Sequence, residues 1–343
     1  MRAALYAGNG TIIIDDRPAT APDAGEVQFE VAYTGICGTD LHILHGAMDQ
    51  RVKAPQTIGH EMSGRIVALG SGVEGLAVGQ PATVMPLDWC GTCPACRAGH
   101  EHICHRLNFI GIDSPGAMQQ RWTVPAGVVV PLPPSLPLTY GALVEPTAVA
   151  VHDVRRAQLK PGEPAVVIGG GPVGVLIALV ARSAGAEVVV LEIDPHRRAV
   201  AEALDLRTLD PARDDVAAEV DAWTGGAGAT VAFEVSGSAA GIDTATHLLA
   251  VRGRLVVVGI HNQPRPVDLF RVFWRELTLI GARVYQRADY DTAIELLSRE
   301  AVPAGALISR IEPLDNASAA FTALDGGGDV MKVLVDCQAA GSA

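Results

Sequence analysis

The chain has 343 residues, with 26 Lys and Arg against 38 Asp and Glu, for a net charge of −12. That length excludes a single small core and points to two domains, and 49% hydrophobic with 19% charged residues excludes a disordered chain. No Lys/Arg run marks a nucleic-acid or membrane surface, so the acidity reads as solubility, and the densest acidic stretch, Asp210 to Asp221, as a solvated helix face.

In chain order, Met1 to Ala7 runs straight into strand-like sequence with no basic segment followed by an apolar run, so a soluble, cytoplasmic protein is expected. Glu26 to Thr34 alternates, with Val27, Phe29 and Val31 on one face, the period of a half-buried strand. Ser63 to Leu69, Gln80 to Met85 and Arg121 to Pro131 also predict strands, each bounded by turn residues. Helical signal is weak until Leu138; Thr139 to Ala157 then predicts a helix, ended by Pro161-Gly162. Beyond it, strands are predicted at Ala165 to Ile168, Glu187 to Leu191, Thr230 to Val235, Arg254 to Ile260 and Leu277 to Ile280. Helices are predicted between them at Val173 to Ala184, Pro195 to Leu204 and Gly241 to Ala250. That alternation predicts a parallel, doubly wound sheet, giving an α/β chain with a β-rich first part. The most apolar run, Ala165 to Ala181, contains glycines and a proline, which suits a buried strand, turn and helix better than a membrane span. A helix (Asp289 to Arg299), irregular sequence and a last strand (Lys332 to Val335) close the chain.

Val166 to Gly174 contains Gly169-Gly170-Gly171-Pro172-Val173-Gly174, a G-x-G-x-x-G loop that follows a buried strand and opens a helix. In that context Gly169 permits the tight turn, Gly171 lets backbone approach a pyrophosphate, and Gly174 lets helix and strand pack closely. The helix N-terminus, opening with Pro172 and Val173, faces the phosphate charge. Glu192 ends the next strand, where an acidic side chain holds the ribose hydroxyls and repels a 2′-phosphate. NAD is therefore expected over NADP, with the neighbouring Arg197 and Arg198 weighing the other way.

Cys90-x2-Cys93-x2-Cys96-x7-Cys104 offers four thiolates from one loop, a closed tetrahedral set for a structural zinc. The alternatives are free thiols or a redox pair, and nothing marks one cysteine as attacking and another as resolving. His100, His102 and His105 read as surface residues. A second set combines Cys37, in Gly35-Ile36-Cys37-Gly38-Thr39-Asp40-Leu41-His42, with His60 and Glu61 in Gly59-His60-Glu61. Sulfur, imidazole and carboxylate from two loops make three ligands with one open position, as a catalytic zinc requires.

On these segments, on Gly59-His60-Glu61-x2-Gly64 and on Val144-Glu145-Pro146, the chain resembles the zinc-containing medium-chain dehydrogenase/reductases over essentially its whole length. The resemblance implies a GroES-like catalytic domain with a structural zinc lobe over residues 1–150 and a Rossmann domain over 151–285. Residues 286–343 would return to the catalytic domain, with the active site in the cleft between the domains. It implies Cys37 and His60 as catalytic zinc ligands and Glu61 as an acid that ligates directly or alternates with water. Glu145 stands where liver-type alcohol dehydrogenases carry a second cysteine, and is similar to the sorbitol, butanediol and threonine branches. Thr39, a cofactor ribose hydroxyl and His42 are implied as a proton relay. Zinc would lower the alcohol's pKa, and hydride would pass to the nicotinamide.

A polyol or vicinal-diol dehydrogenase is the reading adopted. L-threonine 3-dehydrogenase and cyclitol dehydrogenase are the rival enzymes, and a non-catalytic NAD-binding protein is the rival of another class. Arg283, Tyr285 and Arg287 lie where sorbitol dehydrogenases carry substrate-facing residues. Family behaviour implies a homodimer through the Rossmann sheet edge, or a homotetramer. Cys337 reads as a buried or incidental thiol.

Overall fold

The computed structural model describes residues 1–339. Two compact units emerge: Met1–Glu145 with Gln286–Ser298 and the chain from Leu307 on, and Pro146–Tyr285 with Arg299–Ala306.

The first unit is built on a mostly antiparallel sheet. Its central strand, Glu26–Gly35, pairs with Glu61–Leu69, Arg121–Pro125 and Lys332–Asp336. Val27, Phe29 and Val31 are fully buried while Gln28 and Glu30 are half-buried, as the alternation requires. Pro81–Val84 and Val129–Pro131 extend the sheet beyond Glu61–Leu69, and Ile308–Pro313 pairs in parallel with Lys332–Asp336 at the other end. A three-stranded sheet centred on Arg2–Tyr6 accompanies it.

Several expectations need correction here. Arg121 to Pro131 is not one strand. A 3-10 turn at Ala126–Val128 separates two strands with different partners: the Ala126 amide makes the last bond on the central-strand side, to the Gly25 carbonyl, before the chain turns onto Pro81–Val84. The helix over Thr139 to Ala157 is broken into Leu138–Gly141 and Val144–Arg156, since Pro146 cannot sit in a continuous helix interior but is tolerated in a first turn. Helix Gly38–Leu44 appears where no helical signal was read; seven residues are too few for a periodic pattern. The irregular stretch near the end contains strand Ile308–Pro313 and helix Ala317–Asp325.

In the second unit six parallel strands run in the spatial order Arg207–Leu209, Glu187–Leu191, Pro164–Ile168, Ala229–Glu234, Leu249–Val257, Thr278–Gly281. Numbered along the unit this is 3-2-1-4-5-6, the order of a dinucleotide-binding sheet whose crevice opens where the winding reverses, at the end of Pro164–Ile168. Val166, Ile168, Val189, Leu191, Ala232 and Leu255 pack one face of the sheet against Ile242, Ala245 and Leu248 of helix Ala239–Leu248. Asp210 is not part of a solvated helix face. It is buried at the end of an edge strand and pairs with Arg198 at 3.1 Å, six residues before helix Val216–Thr224 begins. Among the described residues no helix is long and apolar enough to cross a membrane.

Candidate active site

Cys37 caps the N-terminus of helix Gly38–Leu44, directly after strand Glu26–Gly35. His60 and Glu61 open the neighbouring strand, in which Glu61 pairs with Gly35. Two glycines make this approach possible. A Cβ on Gly64 would lie 2.3 Å from the Glu30 carbonyl oxygen, and Gly59 holds φ +99° with Met118 and Thr34 each 2.8 Å from where its Cβ would stand. These are the packing reasons for the Gly59-His60-Glu61-x2-Gly64 spacing.

Ligand atoms of Cys37, His60 and Glu61 all lie within 4.8 Å of one another. Both His60 and Glu61 are buried, and Cys37 is half-buried. Asp40 ties the group together. Its Oδ2 accepts the Cys37 amide at 2.9 Å, and its Oδ1 faces His60 Nδ1 at 3.6 Å. A carboxylate at one ring nitrogen fixes the imidazole and leaves Nε2 for a metal. Phe109 packs edge-on against the ring at 5.3 Å. Burial disfavours charge on His60, but the Asp40 carboxylate, the Cys37 thiol and Glu145 outweigh it and push its pKa up to about 10. Burial raises the pKa of Asp40, against the opposing pull of His60, the Cys37 amide and Lys332.

Glu145 stands at the start of helix Val144–Arg156 and is buried. It is not among the three residues whose ligand atoms converge, but its charge helps raise the pKa of both His60 and Lys332. Thr39 and His42 are half-buried and three residues apart on helix Gly38–Leu44, so they share a face. Lys332 was not singled out from the sequence. It is 2% exposed, ion-pairs with Glu61, and donates to the Ile36 carbonyl at 3.0 Å. A lysine inside the apolar run Met331 to Val335 was the one available sign, because a buried ammonium needs a partner.

The four lobe cysteines draw together: Cys93–Cys96, Cys93–Cys104 and Cys90–Cys104 have Sγ–Sγ distances of 3.5, 3.8 and 3.4 Å. A tetrahedron with metal–sulfur bonds of about 2.3 Å has edges of about 3.8 Å, whereas a disulfide would need about 2.05 Å. Backbone amides of Cys90, Cys96 and Arg106 donate to these sulfurs. Amide and Arg106 donors pull Cys90 down to about 5, and burial pushes Cys96 up to about 12. His100 and His105 are exposed as expected, but His102 is half-buried, with its Nδ1 shielded from solvent.

In the second unit Gly169 has φ +104°, and a Cβ there would meet Ser236 at 3.0 Å. Gly171 caps helix Pro172–Ser183, in which Pro172 and Val173 form the first turn. A Cβ on Gly174 would lie 1.8 Å from the Gly169 carbonyl oxygen. Glu192 is buried, and its Oε2 accepts the Gly170 amide at 2.7 Å. Arg197 Nη1 stands 3.9 Å from that carboxylate. Tyr285 is fully buried, Arg283 and Arg287 are exposed, and Arg287 pairs with Asp291 at 3.2 Å.

Residues 23–134 match the alcohol dehydrogenase GroES-like domain, and residues 172–299 match the zinc-binding dehydrogenase domain. The 2-dehydro-3-deoxy-L-galactonate 5-dehydrogenase of Pseudoalteromonas atlantica is 52% identical over 339 residues, 99% of each chain. The chain belongs to the zinc-containing alcohol dehydrogenase family. Solved structures of the family superpose closely on this dehydrogenase. The 2R,3R-butanediol dehydrogenase of Bacillus subtilis has a TM-score of 0.90 at 30% identity, covering 98% of this chain and 99% of that one. A zinc-binding dehydrogenase of Sinorhizobium meliloti 1021, bound to NADP, has a TM-score of 0.91 at 31% identity, covering 98% of each chain. The dehydrogenase is thus an oxidoreductase of secondary alcohols of the polyol and diol kind, and its family works with zinc and a nicotinamide cofactor.

Proposed function

We propose that this dehydrogenase oxidises the C5 hydroxyl of 2-dehydro-3-deoxy-L-galactonate, or of a closely similar sugar acid, with NAD as hydride acceptor. The observation that carries the reaction type is the convergence of Cys37, His60 and Glu61. The substrate rests on the relative that shares 52% of its residues.

The donor set fits a zinc ion. It offers one sulfur, one imidazole and one carboxylate, and Glu61 Oε1 is a buried atom with no hydrogen bond. Cys37, His60 and Glu145 are the residues we assign to the catalytic zinc, with Glu61 the acid beside it that alternates with water, and Cys90, Cys93, Cys96 and Cys104 to the structural one. When bound, the catalytic ion supplies Lewis acidity toward the substrate's hydroxyl oxygen. Asp40 orients His60. Thr39 takes the hydroxyl proton as it gives up its own, and His42, one turn further on the same face, passes that proton towards solvent. Gly169, Gly171, Pro172, Val173 and Gly174 cradle the cofactor's pyrophosphate at a helix N-terminus, and Glu192 holds its ribose with Arg197 beside it.

The test is nicotinamide reduction by the zinc-loaded protein with 2-dehydro-3-deoxy-L-galactonate, L-galactonate, sorbitol, 2,3-butanediol and L-threonine. The sugar acid is expected to give the highest kcat/KM, with NAD+ well ahead of NADP+. A faster rate with L-threonine, or with butanediol, would overturn the substrate assignment.

We further propose a homodimer, or a tetramer built from such dimers. Leu269, Phe270, Phe273 and Trp274 of helix Leu269–Trp274 are each at least 70% exposed, beside the open edge strand Thr278–Gly281. An apolar patch of that kind next to an unpaired strand edge suits a second copy of the chain.

A further inference from the structure

Lys332 reaches the candidate active site from strand Lys332–Asp336, almost three hundred residues beyond Cys37 in sequence. That strand pairs Leu334 with Gly35, the residue opposite Glu61, which brings the lysine and the carboxylate together. Gly35 leaves the space they fill. A Cβ there would stand 2.2 Å from Glu61 Oε2 and 3.2 Å from Lys332 Cε. The ammonium is fixed at its other side by the Ile36 carbonyl, at 3.0 Å. The surrounding buried groups are acids, Glu61, Asp40 and Glu145, and the half-buried Cys37 thiol is also close.

We propose that Lys332 is a positioning residue that holds the Glu61 carboxylate off the catalytic metal, keeping a coordination position open for the substrate's oxygen. The inference rests on the reading that Cys37 and His60 bind that metal. A carboxylate cannot give its full charge to an ammonium and to a divalent cation at once, so the two cations compete for Glu61. The ammonium is held in place by the strand register and by its bond to the Ile36 carbonyl, and its charge also repels the metal. Removing that charge therefore frees Glu61 to ligate and makes the site more negative. Both effects tighten metal binding while closing the position that the substrate needs.

The experiment uses full-length protein carrying Lys332→Met, Lys332→Arg, Glu61→Gln, and Lys332→Met with Glu61→Gln. Zinc retention is read by chelator competition, and the visible spectrum is read after cobalt replaces the catalytic zinc. Lys332→Met is expected to hold the catalytic metal at least about tenfold more tightly and to show weaker cobalt bands from a higher coordination number. Lys332→Arg should behave as wild type, and Lys332→Met should lose its spectral effect in the Glu61→Gln background. Glu61→Gln, nearly isosteric and so a safe fold, should leave the resting cobalt spectrum unchanged. A changed resting spectrum in Glu61→Gln would overturn the proposal, because Glu61 would then be a standing ligand. So would unchanged or weaker metal retention in Lys332→Met. If wild-type protein takes up only the lobe metal, the assignment of Cys37 and His60 fails and this inference falls with it.

Discussion

The backbone amide of Gly170 donates to Glu192 Oε2 at 2.7 Å, joining the glycine loop to the end of the neighbouring strand. The amide of Asp194 donates to the other oxygen at 2.8 Å. With both oxygens anchored, the carboxylate is held beside the glycine loop and, on the proposal that it holds the cofactor's ribose, cannot swing aside for a 2′-phosphate. Replacing Glu192 by Ala removes hydrogen bonds to a charged acceptor worth about 1.5–3 kcal/mol. The KM for NAD+ should rise on the order of tenfold to a hundredfold, and NADP+ should become usable with Arg197 nearby. Steady-state kinetics with both cofactors checks this; an unaltered NAD+ to NADP+ ratio would count against Glu192 as the selector.

Cys37→Ser should remove the catalytic metal and leave the lobe metal. Metal content should drop from two ions to one per chain, and kcat should fall on the order of a thousandfold or more, as loss of several kcal/mol of stabilisation requires. Cofactor binding, followed by fluorescence titration, should be unaffected. Full activity with one metal per chain would refute the ligand assignment.

The lobe should show its own proton balance. In chelator-stripped protein Cys90 sits at about 5 and is ionised at neutral pH, while Cys96 sits at about 12 and carries its proton. Zinc uptake must displace that proton, so rebinding at pH 7.5 should release at least one proton per lobe, measurable with an indicator dye in weak buffer. Acidification should loosen the ion, and Cys96→Ala should abolish uptake and expose the loop between Cys90 and Cys104 to protease.

Cys337 is fully buried beside Thr34, and burial pushes its thiol up to about 12. In the unfolded chain a cysteine ionises near 8.5. The group therefore costs no stability below about pH 8.5, and stability falls as pH rises from there toward 12, by up to about 1.4 kcal/mol per pH unit. Denaturant midpoints at pH 8 and pH 10 should differ less in Cys337→Ala than in wild type. Alkylating reagents should spare Cys337 in the native state.

Phe273→Asp, alone or with Trp274→Asp, should convert the assembly to monomers on size exclusion, since a charge cannot be buried unpaired in an apolar contact. A wild-type chain that already elutes as a monomer would rule the patch out as a dimer face.

Much of the fold and chemistry was legible in the chain itself, because each signal was local. Alternation from Glu26 marked a half-buried strand, and the strand, glycine loop and helix around Gly169 marked the nucleotide-binding unit. Four cysteines within one loop could hardly avoid meeting, and Cys37 and His60 lay within recognisable short motifs. The sheet order of the second unit, in contrast, depends on pairing between strands far apart in sequence. The same is true of the anchoring of Cys37 and His60 through Asp40, and of the burial of Asp210 against Arg198. Lys332 is the clearest case: nothing near it in sequence explains a charge within an apolar strand. Only the antiparallel pairing that lays Leu334 against Gly35 puts it beside Glu61. Local sequence can specify which groups a site contains, but a buried charge is stable only beside its counter-charge, and tertiary pairing alone decides where that partner comes from.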